Sequence, residues 1–164
     1  MIKKEYSKDD VESEAVFSDC ERYRYSLSRT WDKNLPKIMF IGLNPSTADE
    51  VKNDPTVSRM ISYAKKWNYG AVFVQNVFAF RATLPSDLKR ADNPIGKETD
   101  KFILDCVKKT NKIIACWGNH GLFMDRGFRV RKLIDKMECF GLTKAGEPKH
   151  PLYLRKDANL VLLK

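Results

Sequence analysis

Short apolar runs and helical stripes take turns along this chain. Residues 37–41, Lys37-Ile38-Met39-Phe40-Ile41, form an apolar run that ends in Gly42, the pattern of a strand buried on both faces. Residues 56–67 repeat Val57, Met60, Ile61 and Ala64 at helical spacing, and Asn68-Tyr69-Gly70 closes that helix. A second buried strand is predicted at 71–77 and a third at 112–117, each dominated by apolar residues. Between them, 78–95 reads as a long loop with a helical turn at 85–89. Residues 97–110 read as a helix with Phe102, Ile103, Cys106 and Val107 inward. A helix at 125–137, a strand at 138–142, a loop at 146–151 and an apolar tail at 160–163 complete the pattern.

Upstream, residues 23–31 alternate large and polar side chains, as a half-exposed strand does. Residues 1–18 are polar with weak periodicity and are expected to form a peripheral or frayed segment, ahead of a single α/β domain over 19–164. Strands alternating with helices imply right-handed crossovers. The expected fold is a three-layer α/β domain with a mostly parallel four-stranded central sheet flanked by helices, plus an N-terminal strand. Ligands of such sheets bind beyond the carboxyl ends of the strands. The segments Gly42–Ser46, Asn76–Arg81, Trp117–His120 and Thr143–Tyr153 therefore belong to one prospective site.

Composition narrows the class. The 164 residues are enough for one core. No apolar run reaches the length of a membrane helix, and the N-terminus MIKKEYSKDDVESE lacks the apolar stretch of a signal peptide, so a cytoplasmic protein without membrane contact is expected. Cys20, Cys106, Cys116 and Cys139 form no C-x-x-C pair, and there are two histidines. Reduced thiols, no metal and no cofactor are the expectation. The net charge of +9 would draw phosphates to a cleft, although the lysines are scattered.

Four short motifs follow the strands. In Gly42-Leu43-Asn44-Pro45-Ser46, Pro45 restricts Asn44 to extended geometry, so its amide could position water or a carbonyl; the same residues are also ordinary turn chemistry before a helix cap. Asn76 ends an apolar strand, and its donor and acceptor suit the edge of a base, or simply cap the strand. Phe78, Phe80 and Arg81 follow it; an aromatic there can stack on a base or pack in the core. Trp117 and Gly118 would supply a pocket wall and a close backbone approach, with no phosphate-binding glycine signature. His150, within Lys149-His150-Pro151-Leu152-Tyr153, could act as an acid or as a neutral donor, or have no role.

The runs FIGLNPSTAD, QNVFAFRATLP, CWGNHG and FGLTKAGEPKHPLYL, in that order, closely resemble the family known as domain of unknown function 1643, from about Cys20 to Tyr153. That family implies no activity. More distantly, the order of elements is similar to the uracil-DNA glycosylase superfamily: a G-x-[DN]-P loop after the first core strand, a base-reading Asn at a strand end, and a His-Pro-Ser-type loop after the fourth strand. Gly42, Asn44 and Pro45 match the first motif, Asn76 the second, His150 and Pro151 the start of the third. The resemblance implies that Asn44 positions the attacking water, His150 stabilises charge on the departing base, and Leu152 wedges into a duplex. It implies a nucleic-acid partner and hydrolysis of an N-glycosidic bond. It also implies that Asn44→Asp keeps or raises activity. Leu152 stands where that superfamily has Ser, and the cluster Asp54, Pro55, Thr56 and Arg59 has no counterpart in it. A hydrolase or transferase acting on a free nucleotide-like molecule, with Arg59 and Arg81 in a closed pocket, and a non-catalytic nucleic-acid binding module are the alternatives.

Overall fold

The computed structural model describes residues 1–164. Its strands are β1 (Ile2–Lys8), β2 (Val11–Phe17), β3 (Arg24–Thr30), β4 (Lys37–Gly42), β5 (Ala71–Asn76), β6 (Lys112–Ala115), β7 (Met137–Cys139) and β8 (Val161–Leu163). Its helices are α1 (Pro55–Lys66), α2 (Pro85–Arg90), α3 (Thr99–Lys109) and α4 (Arg126–Leu133). All eight strands form one mixed sheet in the order β1-β2-β3-β5-β4-β6-β7-β8. The expectation of a four-stranded, mostly parallel sheet is therefore corrected. Only β5, β4, β6 and β7 run parallel; β1, β2 and β3 extend one side antiparallel and β8 the other.

The added strands carry weak apolar signals. Residues 1–18 do not fray: β1 and β2 pair from Ile2↔Phe17 to Lys8↔Val11. The chain reverses at Asp9 and Asp10, both at positive φ (51° and 61°), the geometry of a two-residue hairpin turn that usually advertises itself with Asn-Gly or Asp-Gly. The hairpin is anchored by Ala15 and Phe17, which are buried. The helix expected over 125–137 is α4 alone, because Ile134 turns extended and Met137 already belongs to β7.

The parallel strands are buried on both faces, which makes three layers. Ile38 and Phe40 of β4 pack with Val72 and Val74 of β5 under Val57, Met60, Tyr63 and Ala64 of α1. Met39 and Ile41, pointing the other way, meet Leu88 of α2, Ile103 and Cys106 of α3, and Val130 of α4. Alternation along one strand thus fills two cores. Helix α1 starts where Asp54 accepts from Val57 N at 2.9 Å with Pro55 in the first turn, and ends on Lys65 and Lys66. Loss of such a cap costs about 1 kcal/mol.

One irregularity aims a side chain. Val16 lies opposite Ser26 but Phe17 opposite Arg24, so Tyr25 is an extra residue in β3. A bulge of this kind turns the following side chains to the opposite face. Tyr25 stacks on Phe102 of α3, with ring centroids 5.5 Å apart, while Arg24 reaches the α1 side.

Candidate functional site

Because β4, β5, β6 and β7 run parallel, their carboxyl ends share one edge, and a cavity of about 550 Å³ opens there. Its walls come from the β4 exit (Gly42, Leu43, Asn44, Ser46, Thr47), the start of α1 (Asp54 to Val57), Asn76, the 82–85 turn, Trp117 to His120, and His150, Leu152 and Tyr153. Arg24 and Met60 complete it. Each of the four strand-end segments singled out from the sequence thus reaches the wall, the second only through Asn76 and the last only through His150, Leu152 and Tyr153.

Asn44 joins two of these loops. Its Nδ2 donates to Pro45 O at 3.0 Å and to Ala82 O at 2.8 Å, with Phe80 O at 3.5 Å. Backbone bonds run alongside, from Phe78 N to Leu43 O and from Ala82 N to Pro45 O. The donor end of the amide is thereby consumed, and Oδ1 accepts nothing from the protein. A fixed acceptor at a cavity wall can orient a water molecule.

Asn76 is only 7% exposed, yet neither end of its amide bonds to protein. Its amide atoms are not sealed in the core but open onto the cavity, where they are free to bond an occupant. Gly42 makes room for it: a Cβ at Gly42 would stand 3.0 Å from Asn76 Oδ1.

His150 precedes a 3-10 turn over Pro151–Tyr153, and its Nδ1 accepts from Leu152 N at 3.2 Å. That bond leaves the ring proton on Nε2. Burial pulls the pKa of His150 down, against a smaller upward pull from Asp54, so the neutral donor form prevails at pH 7. The loop is held from both sides. Gly118 N donates to Pro148 O at 2.8 Å. From α1, Tyr63 Oη donates to Arg155 O at 2.6 Å, Lys66 Nζ to Lys156 O at 3.0 Å, and Arg59 to Leu154 O. Arg59, with Asp54 as the α1 cap, thereby supports the site rather than lining it as a free cation.

Trp117 forms part of the wall from beneath: it is 1% exposed and donates to Glu147 Oε2 at 2.6 Å. The 3-10 turn after it needs Gly121, since a Cβ there would fall 2.1 Å from Trp117 Cδ1. Other sequence-derived candidates lie elsewhere. Phe78 is fully buried against Phe123. Phe80 meets Tyr23 edge-on. Arg81 lies over the Phe17 ring, 4.9 Å from its centroid, and donates to Glu21 O. None of the three lines the cavity, and Pro45 contributes only its carbonyl.

Sequence reasoning missed Arg24 and Thr83, both in the wall. Arg24 is hidden by the bulge, since its place in an alternating strand suggests an ordinary outward residue. Leu152 is half-buried, whereas Tyr153 stands 87% exposed at the mouth. No three His, Cys, Asp or Glu side chains converge as a metal site would require. The four cysteines are unpaired. Burial pushes the Cys106 thiol up to about 12, and no helix is long and apolar enough to cross a membrane.

No curated protein and no solved structure matches this chain. A family model matches residues 24–152, a span that begins at Arg24 and ends at Leu152 of the cavity wall. The chain belongs to the family described as protein of unknown function (DUF1643).

Proposed function

We propose that the cavity holds a nucleobase and that the protein hydrolyses the N-glycosidic bond joining it to a sugar in nucleic acid, on a uracil-DNA-glycosylase-like arrangement of the four parallel strands. The amide of Asn76, open to the cavity and unpaired within the protein, carries this reading. It offers one donor and one acceptor in a plane, the complement of a base edge. Breaking the bond builds positive charge on the sugar and negative charge on the base, so placed dipoles suffice without a strong nucleophile. Asn44 presents a fixed Oδ1 to the attacking water. His150, neutral with its proton on Nε2, donates to the departing base.

Nucleic acid is favoured over a free nucleotide because Arg59 and Arg81, the cations a closed small-molecule pocket would employ, are bound elsewhere. The mouth instead carries exposed Tyr153, with Lys149, Arg155 and Lys156 exposed nearby. An extruded base needs such a stacking and charged rim. The test is a panel of single- and double-stranded oligonucleotides with altered bases, assayed for abasic sites. Cleavage of one member, abolished by Asn76→Ala, is expected. Binding without cleavage of any member would make the protein a non-catalytic module, and release of base only from free nucleotides would favour the small-molecule alternative.

A further inference from the structure

Two arginines of β3 are equally buried, each 3% exposed, but their surroundings differ. Arg29 spends its guanidinium on Asn53 Oδ1 and on the carbonyls of Ser28, Asp49 and Lys52. It is the post around which the 49–53 loop is wrapped. Arg24 makes one bond, from Nη1 to Ala48 O at 2.9 Å. Its Nε is buried without a partner, Nη2 meets no protein acceptor, and no carboxylate pairs with it. Arg24 lines the cavity, and stands on the strand next to that of Asn76.

An uncompensated buried cation is costly. Burial above all, with Arg81 and Arg29 adding to it and the more distant Asp54 and Asp49 opposing it, lowers the pKa of Arg24 to about 10. The bulge at Tyr25 turns the charge toward the cavity. A fold that needed only a plug there would have an apolar residue, as it does at Met60 and Val74 in the same wall. The arrangement fits a site whose occupant brings the missing negative charge.

We propose that Arg24 is the counter-charge for a planar oxo-heterocycle bearing negative charge, set beside the Asn76 amide. On the glycosidic reading above, on which this part rests, that species is the departing base. The C1′–N bond breaks and its electron pair goes to the base. Water oxygen bonds to C1′, and the proton that water releases ends on the base nitrogen. The charge gathers on the base's exocyclic carbonyl oxygens, one of which accepts from Arg24, while another carbonyl and a ring N–H edge meet Asn76. Amino-edged bases present donors to Arg24, a donor-only group, and are disfavoured.

Equilibrium binding to the full chain tests this without turnover. Urate, an anionic oxopurine at neutral pH, is compared with neutral hypoxanthine by calorimetry. Urate is expected to bind the wild-type protein at least about tenfold more tightly, and Arg24→Met should weaken urate by about tenfold to a hundredfold, the scale of a hydrogen bond to a charged group. Arg24→Lys should keep part of the preference. The melting temperature of Arg24→Met should be unchanged or higher, since an unpaired buried charge is removed, whereas a merely structural arginine would lower it. Equal urate binding by wild type and Arg24→Met, or no urate binding at all, overturns the proposal. So does displacement of urate by equimolar inorganic phosphate, which would make Arg24 a phosphate site. If no oligonucleotide is cleaved but the urate preference depends on Arg24, the glycosidic reading falls and the anion site stands.

Discussion

Gly42 and Asn76 are paired in register on parallel strands β4 and β5, and the missing side chain of the first is the space occupied by the amide of the second. A methyl group at Gly42 would sit 3.0 Å from Asn76 Oδ1. The backbone of Gly42 is that of a strand, so Ala is conformationally acceptable there. Gly42→Ala is expected to fold with a melting temperature near that of the wild type while tilting the Asn76 amide. A displacement of well under 1 Å at a reading group should slow cleavage by about tenfold to a hundredfold. The side-chain amide resonance of Asn76 should move as well. An unmoved resonance with unchanged turnover would remove Asn76 from the site.

The hydrogen bonds of Asn44 lead to a different expectation for Asn44→Asp from the one its resemblance to a catalytic carboxylate position implies. Its Nδ2 faces three carbonyl oxygens. In Asn44→Asp those oxygens would confront a second acceptor, and the tie between the β4 exit and the 82–85 turn would become a repulsion. Asn44→Asp is expected to be less stable than wild type by about 1–3 kcal/mol, and less stable than Asn44→Ala, with lower activity rather than higher. Chemical denaturation of the three proteins checks the order. An Asp variant as stable as wild type would mean that the 82–85 turn is held without Asn44.

The parallel centre of the fold was legible because β4, β5 and β6 are mostly apolar, and the gathering of Asn44, Asn76, Trp117 and His150 follows from strand polarity alone. Of the outer strands, β3 was legible from the alternation over 23–31, but β1 and β2 were not. In β1, Lys3, Lys4, Glu5, Ser7 and Lys8 drown the alternation, and two aspartates replace the usual hairpin glycine. Phe78 and Phe80 were drawn to the site by nearness to Asn76 in sequence, but the chain after β5 turns inward and packs them on Phe123 and Tyr23. Arg24 escaped notice because a one-residue register slip reverses which face a strand residue takes, and such a slip leaves no mark in composition.

His150 links the site to pH. In the folded state its pKa is lowered, first by burial, below the unfolded value of about 6.5. The unfolded chain therefore binds the proton more readily. The stability contributed by neutral His150 is fully present above the unfolded pKa and is lost as pH falls through the folded one. Protonation also places a hydrogen on Nδ1, against the Leu152 N–H it now accepts. Between pH 7.5 and 5, wild type should lose more stability than His150→Ala. Parallel melting-temperature curves over that range would show that the imidazole does not titrate as described.

Tyr153, rather than Leu152, is placed to meet a strand outside the cavity. Leu152 is half-buried in the wall, and Tyr153 is 87% exposed beside it, held by the ties from α1 to Leu154, Arg155 and Lys156. Stacking of one base on an aromatic ring is worth about 1–3 kcal/mol. Tyr153→Ala should therefore weaken single-stranded oligonucleotide binding by about fivefold to more than a hundredfold, with the salt dependence unchanged, because no phosphate contact is lost. The double variant Lys149→Gln, Lys156→Gln should do the reverse. It lowers the slope of log affinity against log salt by about 0.7 for each lost phosphate contact on a single strand, and leaves stacking intact. Fluorescence anisotropy across a salt series separates the two. If Tyr153→Ala changes only the salt slope, or neither variant alters binding, the rim does not carry the nucleic acid and the cavity takes its base from a free nucleotide.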